Sequence, residues 1–343
     1  MTMITTQPAD WTEPGPHQVV RGVYRIPLPL PIDGLAAVNA YLLESYEGLI
    51  LIDPGWACPQ TERAVAAALG KLGYELDDIA ICLATHHHAD HYTQAYAWRK
   101  TLGCKLFTGR EERHSIDAFS LPGSFPNHQR LLTRSGAPEL AQRVARDDGP
   151  TEWDDLPFGP PDGWLDNGEV IGLRRGALEV IATPGHTRGH VVFHHPETRI
   201  LFSGDHILPT ITPSLGFEKA PEPQPLRSYL ESLRLVGGLP DTALLPSHGP
   251  VTGSTHARVD ALLDHHRHRL DEVCERVDAG ATTAYDIAAA LPWTRRRIRL
   301  EELPPEHQLS AIMEISAHLD ILSLQGRVGH DDRATIRHYA PAA

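Results

Sequence analysis

The chain has few cysteines and no long apolar run. Its 343 residues include four cysteines, none of them in a C-x-x-C pair, which argues against a disulfide-stapled secreted fold and suits a reducing compartment. No segment approaches the ~18 consecutive apolar residues of a membrane span, and the N-terminus has no basic region followed by an apolar core. We therefore expect a cytoplasmic protein without a membrane partner.

Positive charge is also scarce. The chain has 31 Lys and Arg against 44 Asp and Glu, a formal net charge of −13, whereas nucleic-acid binding draws its affinity from cations. One basic run, Arg295–Arg299, either contacts RNA or forms a solvated loop that Glu301 and Glu302 neutralise, and the sequence leaves this choice open. The overall acidity argues against a nucleic-acid partner. Homo-oligomerisation stays open as well.

Several catalytic motifs are missing from the chain. There is no G-x-S-x-G elbow, no H-E-x-x-H helix, no G-x-x-x-x-G-K-[ST] loop and no G-x-G-x-x-G turn. These motifs mark serine hydrolases, zinc proteases, P-loop enzymes and dinucleotide-binding domains. The sequence therefore offers no second set of hydrolytic residues beside its histidine-rich segment.

That segment is Thr85–His91, with the sequence T-H-H-H-A-D-H, directly after an apolar run. In an extended chain His86 and His88 point to the same face, so their imidazoles can bind one ion. Asp90 and His91 follow where the chain turns and can reach a second ion. Two ions roughly 3.5–4 Å apart form a hydrolytic site.

Three later loops add side chains of the same types after apolar or β-branched runs. They are T-P-G-H ending at His186, S-G-D ending at Asp205, and S-H-G around His248. Each has a glycine beside the polar residue, which allows a tight backbone that directs the side chain into a shared cleft. Neutral imidazole and carboxylate suit zinc, iron or manganese, and an ion with three protein ligands keeps a position open for water.

The ordered pattern H-x-H-x-D-H, P-G-H-T, S-G-D and S-H-G resembles that of the metallo-β-lactamase-fold hydrolases, and closely the branch that contains glyoxalase II. The resemblance extends from about Val19 to His248. Asp53, in the sequence L-I-D-P-G, resembles the first motif of the superfamily. Its expected role is to orient a ligand or a bound water, with simple acceptance of backbone hydrogen bonds as the alternative.

The resemblance implies a centre of two divalent metal ions, with zinc favoured and iron or manganese as alternatives. The implied ligands are His86, His88 and His186 for the first ion, Asp90, His91 and His248 for the second, and Asp205 as the bridge. Asp90 and Asp205 are also the predicted catalytic carboxylates, which fix the ions and pass a proton to the leaving group.

The chain has 21 histidines, and those outside this set are not predicted to bind metal. Position or sequence context argues against eight of them: His87, His190, His206, His194, His195, His265, His266 and His268. The first points away from the metal face, and the next two merely adjoin ligands. The pair at 194–195 is predicted at the surface or pocket rim, and the last three on a solvated helix face.

The implied reaction is hydrolysis of an activated carbonyl by a metal-bridging hydroxide. We expect a small-molecule acyl substrate, above all an acyl thioester such as an acyl-CoA, or an ester or lactone. Relatives of glyoxalase II carry paired glycines after the metal turn, whereas this chain has Tyr92-Thr93-Gln94, which weakens the case for a glutathione thioester. Tyr92 and Tyr229 are candidates for polarising the carbonyl. Two alternatives stay open: a phosphodiesterase or endoribonuclease on the same metals, and an iron-dependent persulfide dioxygenase-like oxidoreductase.

The predicted fold class is α/β, a four-layer αββα metallo-β-lactamase sandwich over residues 1–254. Residues 111–166, rich in proline and glycine, are predicted as a cap inserted over the cleft. Residues 208–225 are predicted to border the metals through 209–213 and to end, over residues 218–225, in a mobile lid or a passive surface loop. Residues 255–343 have helical patterns and resemble the winged-helix-like tail found on one branch of the superfamily.

Overall fold

Two β-sheets form the centre of the protein. The computed structural model describes residues 5–31, 34–119, 126–146, 156–294 and 296–342. Within these ranges the first sheet has seven strands, side by side in chain order: β1 (His17–Val20), β2 (Val23–Pro29), β3 (Ala37–Glu44), β4 (Leu49–Ile52), β5 (Ile79–Ala84), β6 (Lys105–Gly109) and β7 (Gly163–Leu165). Pairing is antiparallel from β1 to β4 and parallel from β4 to β7, so β4 and β5 end at the same edge.

The second sheet has the order β12-β11-β10-β9-β8. Its strands are β8 (Val170–Gly172), β9 (Ala177–Ala182), β10 (Val191–His195), β11 (Ile200–Gly204) and β12 (Ala243–Pro246). β11 and β12 run parallel, and the other neighbours run antiparallel. β11 and β12 therefore also end at one edge.

Alternating side chains of the strands divide the core into layers, because successive residues of a strand point to opposite faces. Ile50 and Ile52 pack between the sheets with Phe193 and Phe202 of the second sheet. Leu51 points the other way, into a cluster with helices α1 (Pro59–Leu72) and α2 (Ala89–Thr101).

The outer face of the second sheet is covered in the same way. Val192 and Leu201 pack there with helices α6 (Pro225–Gly237) and α7 (Thr255–Asp278). The order of layers is thus helices, sheet, sheet, helices, which confirms the predicted αββα fold class.

Helix α1 illustrates how local sequence sets these elements. Pro59 occupies its first turn, where the missing N–H costs nothing, and Gly73 ends it with a φ of 83°. The buried positions Thr61, Val65 and Leu69 recur every four residues and place one apolar stripe on the sheet.

The C-terminal region continues from α7 into α8 (Ala284–Ala290), α9 (Pro305–Leu324) and an antiparallel hairpin of β13 (Val328–Asp331) and β14 (His338–Pro341). Helices followed by a two-stranded wing agree with the predicted winged-helix-like tail. Their apolar residues join the cluster on the outer face of the second sheet. A division into domains near residue 254 stays a prediction. In the part of the chain that the structure describes, no helix is both long and apolar enough to cross a membrane.

The region predicted as a cap contains helices α3 (Arg113–Phe119), α4 (Pro126–Arg134) and α5 (Pro138–Arg146) within the described residues. Leu132 of α4 and Leu140 of α5 are buried in the cluster that includes α9. Helices α4 and α5 therefore pack on the C-terminal region through apolar contacts, whereas Ile116 of α3 packs in the cluster of the first sheet.

Candidate metal centre

The predicted ligands lie at the ends of strands from both sheets. His86 and His88 follow β5, His186 follows β9, Asp205 follows β11 and His248 follows β12. The chain therefore gathers at one edge of the sandwich residues that are far apart in sequence.

Asp90 and His91 reach the same place from a helix. Helix α2 begins at Ala89, so both side chains lie in its first turn, and His88 is the residue that precedes the helix. A carboxylate in this position is favoured by the partial positive charge of the helix N-terminus. The change from strand to helix within this short segment aims its ligands at two adjoining positions.

The first ligand group consists of His86, His88 and His186. Nε2 of His186 lies 3.2 Å from Nε2 of His86 and 3.2 Å from Nδ1 of His88. Burial, reinforced by the neighbouring imidazoles, lowers the pKa of His86 and His186 well below the ordinary value, and burial lowers that of His88 to about 4. All three rings are therefore neutral at neutral pH and can offer a lone pair to a cation.

The second group consists of Asp90, His91 and His248. Oδ2 of Asp90 lies 3.3 Å from Nε2 of His248 and 3.5 Å from Nε2 of His91. The ligand atoms of this group lie within 4.8 Å of one another, as do those of the first. One ion could contact all three.

Asp205 lies between the two groups. Its Oδ2 is 3.7 Å from Nε2 of His186, and its Oδ1 is 3.4 Å from Nε2 of His248 and 3.7 Å from Nε2 of His91. One carboxylate oxygen thus faces each group, which is the arrangement that a bridging ligand requires.

Unpaired buried atoms indicate that the site is built for cations. Within the described residues, Nε2 of His91, Nε2 of His248 and Oδ1 of Asp205 are buried without a hydrogen-bond partner. Buried polar atoms normally find a partner, so such a cluster needs an explanation. Imidazole nitrogens and carboxylate oxygens at these distances fit divalent metal ions.

The other nitrogen of each histidine is held by a neighbouring group, as is usual for metal ligands. His186 Nδ1 donates to Ser214 O at 2.7 Å, His248 Nδ1 to Ala37 O at 2.8 Å, His88 Nε2 to Phe217 O at 2.9 Å and His86 Nδ1 to Thr85 Oγ1 at 3.1 Å, while His91 Nδ1 lies 3.1 Å from Asp53 Oδ2. These contacts fix the ring orientations and leave the atoms of the two groups facing inward.

Asp53 supports the site through hydrogen bonds to residues beside the candidate ligands. Its carboxylate accepts hydrogen bonds from the Thr85 backbone N–H and hydroxyl at 2.8 and 2.9 Å and from the Ser247 hydroxyl at 2.7 Å. Its backbone has a φ of 50°, which Asp tolerates better than most residues. Asp53 thus both accepts a backbone hydrogen bond and lies against His91, so the two roles considered for it occur together.

Glu112 is the residue that sequence reasoning missed. It is fully buried, contacts His87 Nδ1, and accepts hydrogen bonds from the His87 backbone N–H at 3.1 Å, from Thr187 Oγ1 at 2.5 Å and from the Gly189 N–H at 3.0 Å. It therefore joins the loop of His86 and His88 to the loop of His186. The sequence around it carries no motif, and only the three-dimensional fold identifies its partners.

We expect Glu112→Gln to lower metal affinity by about 10–100-fold, the usual effect of removing a group that supports a ligand. Glutamine keeps the shape of the side chain, but its NH₂ group would face hydrogen-bond donors and cannot accept from them. The hydrogen bonds that join the loop of His86 and His88 to the loop of His186 are therefore weakened. A competition titration against a coloured chelator measures the effect.

The neighbouring Glu111→Gln is the matched control, because that side chain is 42% exposed and its ion pairs with Arg113, His114 and Arg188 are partly exposed to solvent. An unchanged affinity in Glu112→Gln would show that the carboxylate only fills space.

The segment after Asp205 supports two of the candidate ligands: Ser214 O accepts from His186 Nδ1, Phe217 O accepts from His88 Nε2, and Gly216 N–H donates to His186 O. That residues 209–213 border the metals stays a prediction, and Pro209 lies close to Gly249, the residue after His248. Glu218, predicted to start a mobile lid, is buried and accepts hydrogen bonds from Ser115 Oγ at 2.6 Å and the Arg188 N–H at 2.8 Å. These bonds anchor the segment.

Both tyrosine candidates are engaged elsewhere. The Tyr92 hydroxyl donates to Gly159 O at 2.8 Å and the Tyr229 hydroxyl to His206 O at 3.0 Å, and both residues are buried. Both hydroxyls are buried and already donate to backbone carbonyls, which argues against either candidate.

Several discounted histidines are buried. His87 contacts Glu112, and His190 Nε2 accepts from the Asp205 N–H at 3.2 Å, so both support the site without belonging to its ligand groups. His194 and His195 are 5% and 2% exposed, which contradicts a surface position. His266 is also buried, although the helix was expected to be solvated there.

An αββα sandwich that gathers histidines and aspartates at one edge of its sheets defines a metallo-hydrolase fold with a cluster suited to divalent metal ions. The model of the Metallo-beta-lactamase superfamily matches residues 33–248, well over half of the chain. The chain belongs to the metallo-beta-lactamase superfamily.

Individual relatives agree with this. "Probable metallo-hydrolase YqjP" of Bacillus subtilis (strain 168) is 25% identical over 311 residues, covering 88% of this chain and 91% of that protein. The crystal structure of a metallo-beta-lactamase family protein from Thermus thermophilus has a TM-score of 0.76 and 26% identity, and covers 94% of this chain and 99% of that one. A hydroxyacylglutathione hydrolase of Fuscovulum blasticum is 24% identical over 204 residues, 60% of this chain and 58% of that protein. The predicted resemblance to the glyoxalase II branch is confirmed.

Proposed function

We propose that the protein is a binuclear-metal hydrolase that cleaves an activated carbonyl, with an acyl thioester as its substrate class and an ester or lactone as the next choices. The observation that carries the proposal is Asp205, whose two carboxylate oxygens each face a different group of ligand atoms. We propose zinc for both ions, with iron or manganese as alternatives, because histidine and carboxylate ligands accept all three.

The proposed ligands are the seven predicted residues: His86, His88 and His186, then Asp90, His91 and His248, and Asp205 as the bridge. When bound, two such ions polarise a carbonyl and lower the pKa of water to about 7, which makes hydroxide available at neutral pH. The chain itself positions these groups through the hydrogen bonds on the outer nitrogens of the rings.

Asp90 and Asp205 have the further role of handling charge and protons. Both are buried beside imidazoles, and both offer carboxylate oxygens within 3.5 Å of His248 Nε2. In the proposed mechanism Asp90 or Asp205 passes a proton to the departing thiolate or alkoxide.

The surroundings of the site support an acyl substrate. Phe119 and Phe158 lie with ring centroids 5.9 and 6.4 Å from that of His87, and 4.3 Å from each other. Phe217 supplies the carbonyl that holds His88, and its own ring is half-buried nearby. Phe119 and Phe158 thus lie against His87, which is outside the ligand groups, and Phe217 lies in the segment that holds His88; together they supply apolar surface beside the histidine-rich segment, against which an acyl chain can pack.

A phosphodiester substrate has weaker support. Arg295 lies outside the described residues, while Arg296 and Arg297 are exposed on a turn closed by backbone pairing of Trp293 with Ile298. Arg299 lies 3.5 Å from Glu301, so part of the basic charge is paired. With a net charge of −13, the chain has no general excess of cations for nucleic acid.

The test is turnover of four compounds by the metal-loaded protein: an acyl-CoA, a lactone, a bis-phenyl phosphate diester, and a thiol persulfide with oxygen uptake as readout. We expect hydrolysis of the acyl-CoA, with the lactone slower. Phosphodiester cleavage that is lost in an Arg296→Ala, Arg297→Ala protein would favour a nuclease instead, and oxygen consumption with the persulfide would favour an oxidoreductase. The Arg267→Ala protein, changed at an exposed arginine of α7, is the matched charge control.

A further inference from the structure

Arg25 is a fully buried arginine in the first sheet. It lies on β2, in register with Tyr41 of β3, and has no exposed surface. Within the described residues its hydrogen-bond partners are neutral, no carboxylate pairs with it, and its Nη2 is buried without a partner. A buried charge without a counter-ion costs stability, so this arginine needs an explanation other than stabilisation of the fold.

The guanidinium of Arg25 orients the amide of Asn39. Its Nη1 donates to Asn39 Oδ1 at 2.9 Å and also to the carbonyl oxygen of Trp11, while its Nε donates to Gln7 Oε1 at 3.3 Å. A guanidinium can only donate hydrogen bonds, so the atom of the amide that faces it must be the oxygen. The NH₂ group of Asn39 is thereby turned to the other side.

The NH₂ group of Asn39 holds the loop that carries His248. Its Nδ2 donates to Pro246 O at 2.9 Å and to Gly249 O at 2.8 Å. These two carbonyls flank Ser247 and His248, and the Asn39 backbone N–H donates to Ser247 O at 2.7 Å. A flipped amide would present its oxygen to both carbonyl oxygens, and both side-chain hydrogen bonds would be lost.

The same strand contacts this loop at further positions. His248 Nδ1 donates to Ala37 O at 2.8 Å, and the Tyr41 hydroxyl donates to Pro246 O at 2.7 Å. His248 belongs to the second ligand group only. The histidines of the first group follow β5 and β9, and their outer nitrogens are held by other residues. The contacts of β3 with the loop therefore act on one of the two groups.

We propose that Arg25 is a positioning residue for the second metal ion, and that it acts through the Asn39 amide on the loop that carries His248. The inference rests on the proposed binuclear centre and adds a residue that controls one ion and not the other. Arg25 is not a metal ligand, and it takes no part in the chemical step.

Arg25→Met removes the charge and the donors of the side chain and keeps its length. We expect the Kd of the second ion to rise by about 10-fold, the lower end of the range for groups that support a ligand, because Ala37 and Tyr41 keep their contacts. The Kd of the first ion should change by less than about twofold. Titration of the metal-free protein with zinc, in competition with a coloured chelator, measures both constants.

Arg21→Met is the matched control, because Arg21 is an exposed arginine just before β2. Both dissociation constants should equal those of the wild type.

Asn39→Asp separates positioning from a structural role and decides the question should Arg25→Met not fold. The new carboxylate gives Arg25 a counter-ion, but it cannot donate to Pro246 O and Gly249 O. If Arg25 only needed a partner, this variant would bind both ions as the wild type does. Positioning predicts the same selective weakening of the second ion as in Arg25→Met.

The His248→Ala background assigns the effect to one ion. A double-mutant cycle isolates the coupling between two residues when each single change removes the interaction. In this background we expect only the first ion to bind tightly, and Arg25→Met should change its Kd by less than about twofold.

The outcomes separate the inference from the proposed function. Unchanged constants in Arg25→Met, equal weakening of both ions, or a loss that persists in the His248→Ala background would overturn the inference while the binuclear centre stands. Wild-type binding of the second ion by Asn39→Asp would also overturn it. A wild-type protein that binds fewer than two ions would overturn the binuclear centre, and the inference with it.

Discussion

Asp205→Asn is expected to remove bound metal and activity together while the fold survives. The carboxylate faces both ligand groups, and an amide keeps its shape but loses the negative charge and one of the two acceptor oxygens. Loss of a supporting group costs about 10–100-fold in metal affinity, so loss of a direct bridging ligand should exceed about 100-fold. Elemental analysis after gel filtration, turnover of the acyl-CoA and far-UV circular dichroism measure the three quantities.

Asp260→Asn is the control, because Asp260 is an exposed aspartate on α7 that belongs to none of the ligand groups. It should keep wild-type metal content and rate. Full activity in a metal-poor Asp205→Asn protein would refute the site, because turnover would then need no ions held by this carboxylate.

Removal of the metals from the wild type is expected to lower the melting temperature by about 10 °C. A ligand present at ~1,000 times its Kd stabilises the folded state by about 4 kcal/mol, and each kcal/mol corresponds to roughly 2–4 °C in a protein of 150–250 residues. The stripped site also leaves His91 Nε2, His248 Nε2 and Asp205 Oδ1 buried without hydrogen-bond partners. Differential scanning fluorimetry before and after dialysis against a chelator measures the shift.

Two controls isolate the metal. Dialysis against the same chelator saturated with zinc should leave the melting temperature unchanged, and the Asp205→Asn protein should shift by much less than the wild type. Equal melting temperatures with and without chelator would mean that the cluster does not bind stabilising ions.

The clustering of the candidate ligands could be predicted from sequence because its signal is local. His86 and His88 alternate just past the end of β5, Asp90 and His91 follow in the first turn of a helix, and the later candidate ligands lie beside glycines at strand ends. Each motif is short, and their order along the chain is specific. The αββα sandwich could also be predicted from sequence, because the order of apolar strands and helices along the chain determines its layers.

Asp53 was predicted as a supporting residue, but the partners of the supporting groups could not be predicted, because they are distant in sequence. Glu112 meets its partners His87 and Thr187 only once β6 lies beside β5 and the second sheet is in place. The bond between Asp53 and Ser247 joins residues 194 positions apart. No periodicity or short motif encodes such pairs.

Long-range packing also explains the misjudged histidine on α7. In the sequence, His266 stands among polar residues and is typical of a solvated helix face. In the structure α9 covers this position and places His318 against it at 3.2 Å. The packing of α9 on α7 decides its burial, and the local pattern of α7 does not contain that information.

The central claim is that the two ligand groups hold two metal ions per chain. The most direct test is elemental mass spectrometry of freshly purified, chelator-free protein, with protein concentration from quantitative amino-acid analysis. The account predicts two ions per chain drawn from zinc, iron and manganese, falling below one in Asp205→Asn. Less than one tightly bound ion per chain in the wild type, even after incubation with each of these metals, would contradict it.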